Sequence, residues 1–299
     1  MSKLIFDWIK WSCCGKVGII LIYLLRFSFR RLSFREFWNI VEEKWNMPSV
    51  SLIKTIYLNL KCVDNIYAWT MPIFVYKGTQ IISLKGKISF DGNITSKLVK
   101  LGWDHRYRSN GKTRLRVDGN VIFGGECVIG AASNIAVFDS ATLKFGKDSA
   151  IWENCMIYCA NNIEIGKNTC ITFHTSIMDS DFHYMVNLTT RSITPRSKPI
   201  IIGNYVWIGN RANIKKGTII PDYTTIASSN TLLSKDYSSI PPYSVLGGIP
   251  AKIISSGMAR IWNNEIEYSR FLDSWFDEHG DQIKYTIGAN ENIENYIKS

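Results

Sequence analysis

The chain holds four histidines, and one of them, His183, closes a five-residue stretch that also contains Asp179 and Asp181. Histidine has an unperturbed pKa of about 6.5, which suits removal of a proton from a hydroxyl near neutral pH. A carboxylate against the second imidazole nitrogen would fix the tautomer and steady the imidazolium that forms. On the residues alone, His183 is either a general base or a loop histidine hydrogen-bonded for packing. His174 is its rival, while His105 and His279 lie away from this stretch. A zinc site needs a third or fourth ligand at suitable spacing, and neither His174 nor His183 has one, so no metal is expected. Phosphate-cradling glycine loops and Gly-x-Ser-x-Gly elbows are also missing.

The elements that position these groups announce themselves by period. Ile202, Ile208, Ile214, Ile220, Ile226 and Leu232 fall six apart. Four places after the first five stand the small or β-branched Val206, Ala212, Thr218, Thr224 and Asn230. Neither 3.6 nor 2 gives six, but a chain that turns a corner every six residues does. Three short strands then make one triangular coil, and coils stack at roughly 4.8 Å. The predicted fold class is an all-β solenoid, a left-handed parallel β-helix. The same period runs upstream through Ile129 and Ile135, then Phe145, Ile151 and Ile157, then Ile165, Ile171 and Ile177, with Cys155 in an inward slot. Between Ile177 and Ile202 it fails, so a loop over 178–201 leaves the prism there, carrying His183. Loops on a rigid scaffold are where function concentrates.

Three segments follow from this pattern: a helical, basic N-terminal extension over 1–80, the solenoid over 81–256 and a helical C-terminal segment over 257–299. The formal charge is +10, unevenly spread. Residues 1–61 carry ten Lys/Arg against four Asp/Glu, whereas 263–299 carry three against eight. Trp8, Trp11 and an apolar run beside Arg26, Arg30, Arg31 and Arg35 suit a helix lying in a membrane interface, or a cap over the first open coil. The apolar run from Val17 to Leu25 is too short to span a bilayer, which takes about 20 residues. Ser33 with Glu36 resembles a capping box opening a helix over 34–45, ended by Pro48. Seven cysteines without a regular framework suggest reduced thiols and a cytoplasmic setting, peripheral at the inner face of the membrane if the N-terminus binds it. No nucleic-acid-reading motif is present.

Several stretches resemble the hexapeptide-repeat acyltransferases, in particular the maltose/xenobiotic-type and polysaccharide O-acetyltransferases. They are Ile202-Gly-Asn-Tyr-Val-Trp-Ile-Gly-Asn210, Ile219-Ile-Pro221, Ile226-Ala-Ser-Ser229, Gly247-Gly-Ile-Pro-Ala-Lys252 and the loop Asp179-Ser-Asp-Phe-His183. The resemblance covers roughly residues 110–255. It implies a homotrimer with active sites between neighbouring prisms, acetyl-CoA as donor and a carbohydrate hydroxyl as acceptor. The basic, aromatic N-terminus favours an acceptor that is lipid-linked or a growing surface polysaccharide, made at the inner membrane face. His183 would then act as base, with Asp179 or Asp181 behind it. Trp207 would flank the pantetheine or acyl pocket, and an amide near Gly209 or Ser228 would meet the oxyanion. Ser229, Lys235, Pro250 and Lys252 would lie toward the coenzyme, the lysines as point charges for phosphate. Lys215 and Lys216 read as ordinary surface lysines. The alternatives are an N-acyltransferase for a nucleotide-linked amino sugar and a catalytically silent scaffold.

Overall fold

The computed structural model describes residues 50–104, 111–267, 270–280 and 282–298. Among the described residues, three sheets of nine, seven and six strands, parallel except for the last strand of the first, form the faces of a left-handed β-helix. The first face includes Val99–Trp103, Cys127–Gly130, Ser149–Ile151, Cys170–Ile171, Trp207–Ile208 and Thr225–Ile226. The second includes Asn134–Val137, Met156–Cys159, Ser176–Met178 and Asn213–Lys215, and the third Thr142–Phe145, Asn162–Ile165, Ile200–Ile202 and Ile219–Ile220.

Six-residue spacing places like beside like on every face. Ile129, Ile151, Ile171, Ile208 and Ile226 stand in one register on the first face. Ile135, Ile157, Ile177 and Ile214 do so on the second, and Phe123, Phe145, Ile165, Ile202 and Ile220 on the third. All are buried, and each branched side chain so removed from water contributes about 1.5–3 kcal/mol. Val206, Ala212, Thr218 and Thr224 are fully buried at the corners, where nothing larger fits. The turns between faces repeatedly use the left-handed region, as at Tyr205, Arg211 and Tyr223.

Two expectations of register need correction. Leu232 is not the inward residue of its strand: Leu233 pairs with Ile214 and is fully buried, while Thr231 takes the small-residue slot expected of Asn230. The cause is one extra residue in the preceding corner, where Ser229 and Asn230 both adopt positive φ. The prism also begins before 81, since Ile73–Val75 and Thr79–Leu84 already pair in the first and second faces.

Below that first coil lie helix α1 (Leu52–Cys62) and helix α2 (Asn65–Ala68). Leu58, Cys62 and Ala68 enter the core beside Ile73 and Ile88. The buried Asn59 satisfies the strand edge, donating to Ile73 O (2.7 Å) and accepting from Ile73 N–H (3.1 Å). The basic segment 1–35 and the predicted helix 34–45 lie outside the described residues. At the other end, Lys252–Ser255 folds back antiparallel on Val245–Gly247. Short helices follow at Asn264–Glu267, Arg270–His279 and Glu294–Ile297, with no buried residue in any of them. No described helix is long and apolar enough to cross a membrane.

Candidate active site

The loop that breaks the repeat joins Ser176–Met178 on the second face to Ile200–Ile202 on the third. Its base is tied by backbone bonds from Asp181 N–H to Arg196 O (2.9 Å) and from Lys198 N–H to Asp179 O (3.0 Å). Ser180 Oγ accepts from Phe182 N–H and from Ser197 Oγ–H. Beyond these ties a small hairpin pairs Val186–Asn187 with Ser192–Ile193.

Neither aspartate serves His183 as the sequence suggested. Asp179 is fully buried, and its carboxylate accepts from Ala160 N–H (2.7 Å) and Asn161 N–H (2.8 Å) in the coil below. Burial pushes its carboxyl up, against the pull of those amides. It is a bolt between coils. Asp181 pairs with Lys216 at 2.6 Å, and the same ammonium donates to Pro195 O at 2.7 Å. The supposed surface lysine therefore clasps both sides of the loop. Phe182, at φ +60°, wedges its ring edge-on against Phe138 and Tyr158. His183 comes next, exposed, with its imidazole making no hydrogen bond among the described residues.

The remaining predicted residues lie elsewhere on the prism. Trp207 points outward from the first face, 38% exposed. That face is opposite the vertex from which the His183 loop springs. Gly209 does not leave room for a ligand: a Cβ there would lie 2.6 Å from Ser228 N and 2.7 Å from Ile226 O, so the next coil fills the space. Its amide is also used, donating to Ile226 O at 2.8 Å. The Ser228 amide makes no such bond among the described residues, while Ser228 Oγ accepts from Asn210 N–H. Ser228 and Ser229 line an open cleft of about 450 Å³ with His174, Arg211, Asn210, Phe173 and Glu153, on the edge between the first and second faces. Pro250 and Lys252 are exposed at the end of the first face. Lys235 is on a different edge, its ammonium 5.3 Å from the Tyr237 ring. Cys127 and Cys155, both buried, have thiols pushed up to about 12 chiefly by burial, and Cys159 is raised further by burial and Asp179. None of these three is a nucleophile at neutral pH.

No protein-family model matches the chain. Over 148 residues, 47% of this chain and 74% of the relative, it is 26% identical to a putative lipopolysaccharide biosynthesis O-acetyl transferase of Escherichia coli K12. It is 32% identical over 116 residues to a galactoside O-acetyltransferase of the same organism, covering 31% of this chain and 54% of that one. A probable macrolide acetyltransferase of Lysinibacillus sphaericus is 32% identical over 123 residues, 36% of this chain and 64% of its own. The last two matches thus span less than two thirds of those relatives' length. Among solved structures, a polysialic acid O-acetyltransferase overlays with a TM-score of 0.44 and 24% identity, over 67% of this chain and 98% of that one. The chain resembles the hexapeptide-repeat acyltransferases.

The fold adds two residues that the sequence alone did not point to. Arg260 lies 5.7 Å from the Trp207 ring centre and 4.6 Å from that of Trp262, and its guanidinium grips Glu267 at 2.9 and 3.1 Å. The segment after the last coil therefore crosses the first face and covers one side of Trp207. No spacing rule links 260 to 207. Phe182 was quoted within the loop motif, but its role as an anchor depends on Phe138, more than forty residues earlier. Among the described residues no three His, Cys, Asp or Glu side chains gather to hold a metal.

Proposed function

We propose that this acyltransferase moves acetyl from acetyl-CoA to a carbohydrate hydroxyl in surface-polysaccharide synthesis, with His183 as general base. The acceptor hydroxyl gives its proton to the imidazole as its oxygen attacks the thioester carbonyl. The tetrahedral intermediate collapses to the ester, and the imidazolium returns the proton to the departing CoA thiolate. No covalent enzyme intermediate is required, in keeping with the elevated thiols of Cys127, Cys155 and Cys159. The Ser228 amide is the candidate oxyanion donor, and Trp207 the wall of the donor groove.

One observation carries the reading most: His183 is held out on a tied loop, its imidazole without a hydrogen-bond partner among the described residues, at the vertex opposite the Trp207 face. A base and a donor wall so separated meet when the loop of one copy lies against the first face of the next, which is the homotrimer proposed here. Tyr184, Met185, Leu188 and Ile193 are each more than half exposed on that loop, and docking on a neighbour would bury them. Asp179 and Asp181 hold the loop in this scheme, and the partner that orients the imidazole comes from the neighbouring copy. The lipopolysaccharide-linked name of one relative supports a lipid-linked or growing polysaccharide acceptor at the inner membrane face.

Calorimetric titration with CoA and acetyl-CoA tests the reading. Saturable binding near one CoA per chain supports it, and a folded protein that binds neither removes the transferase. An acceptor screen then separates hydroxyl from amino sugars.

A further inference from the structure

The capped end of the prism carries a surface that acetyl transfer does not use. On α1, Thr55, Leu58, Asn59 and Cys62 face the core. The opposite side of a 3.6-residue helix presents Ile53, Tyr57 and Lys61. Ile53 and Tyr57 are each 37% exposed, and Ile66 and Tyr67 extend the apolar surface at 65% and 44%. Around the corner Ile82, half exposed, shares an open groove with Tyr57, Lys54 and Lys112. These apolar groups stand among lysine stems, and the groove they border is shallow and open rather than enclosed. Such a surface fits a headgroup layer better than a folded partner.

Charge points the same way. Residues 50–104 and 111–125 contain ten Lys/Arg and four Asp/Glu, a difference of +6, whereas 263–299 at the other end of the chain come to −5. Of those four acids, Asp118 is engaged by Arg116 and Asp91 by Lys144. Lys61, Lys77 and Lys112 make no ion pair among the described residues. In sequence, the residues before Val50 include the Trp8, Trp11 and arginine-rich stretch, of like composition.

We propose that the α1–α2 end of the prism docks on an anionic lipid surface. Its exposed Ile53, Tyr57, Ile66 and Tyr67 enter the headgroup boundary while the surrounding lysines meet lipid phosphates. The prism then stands end-on, with the His183 loop and Trp207 several coils above the bilayer. This inference does not depend on the acetyl-transfer reading.

The test is co-sedimentation of the full chain with vesicles of phosphatidylcholine alone and of equimolar phosphatidylcholine and phosphatidylglycerol. Binding is expected to the mixed vesicles only, and to weaken as salt is raised. Each cation near an anionic surface is worth about fivefold in affinity. Lys61→Glu, which removes one and adds an anion, should weaken binding about twenty-fivefold, and Ile66→Asp by at least as much. Both positions are exposed, and an unchanged melting temperature would show the fold intact. A second pair, Lys77→Glu with Lys112→Glu, should act the same way. The inference is overturned if the full chain ignores the mixed vesicles or binds both kinds alike. It is equally overturned if the cap variants bind like the parent while Trp8→Ala with Trp11→Ala abolishes binding.

Discussion

Replacing Asp179 by Asn separates a structural bolt from a catalytic orienter. The carboxylate accepts from Ala160 N–H and Asn161 N–H at 2.7 and 2.8 Å, with the whole residue buried. An asparagine keeps one acceptor but turns an NH2 toward the other amide. The change loses one charge-assisted hydrogen bond and leaves a buried N–H unmet, partly offset by no longer burying a charge. Those terms come to a net cost of about 2–4 kcal/mol, or roughly 5–12 °C in melting temperature.

The pH dependence has a definite sign. Burial raises the Asp179 pKa above its unfolded value, which is about 3.9. The group's stabilisation is therefore full below that pH and declines as pH rises through the higher folded pKa. The stability gap between parent and Asn variant is thus widest in acid and narrows across that window. Thermal melts over a pH series, beside turnover well below the melting temperature, provide the assay. Turnover should fall less than about tenfold, because the imidazole keeps its surroundings. The reasoning is refuted if the variant melts like the parent while turnover falls on the order of 10⁴, the scale of losing a carboxylate that orients a histidine base.

Other substitutions probe the remaining parts. Gly209→Ala drives a Cβ into the backbone of the next coil at Ser228 and Ile226 and should cost about 1–3 kcal/mol, seen as a lower melting temperature. Lys216→Ala frees Asp181 and Pro195 O. It should change stability by no more than about 1 kcal/mol, yet speed amide exchange across 180–197 and lower turnover. Arg260→Ala uncovers Trp207; red-shifted tryptophan emission and weaker acetyl-CoA binding are expected, with the affinity loss smaller than for Trp207→Ala.

The core was legible because a six-residue period has few physical solutions, and Ile208, Ile214 and Ile220 could only face inward together. One extra residue at the Ser229–Asn230 corner defeated the count at Leu232, since two positive-φ residues absorb it without breaking the strand pattern. The start of the prism was missed because Ile73–Val75 and Thr79–Leu84 lack a clean period, their inward places being shared with α1. At the site, the loop, His183 and outward-facing Trp207 were readable from where the repeat fails and where a large aromatic breaks it. The partners were not. Nearness in sequence suggested that Asp179 and Asp181 face His183, but the strand ends at Met178, so the period of two that would keep residues 179 and 181 on one face no longer applies. One therefore turned into the prism and the other toward a lysine thirty-five residues on.

The most direct test of the central claim is acetyl transfer from acetyl-CoA to a surface-polysaccharide acceptor by the parent chain and by His183→Ala. The variant should still bind acetyl-CoA with nearly the parent's affinity and melt at the parent's temperature, while its turnover falls about 10²–10⁴-fold, the range for losing a positioned general base. A His183→Ala protein that transfers acetyl as fast as the parent would contradict the account.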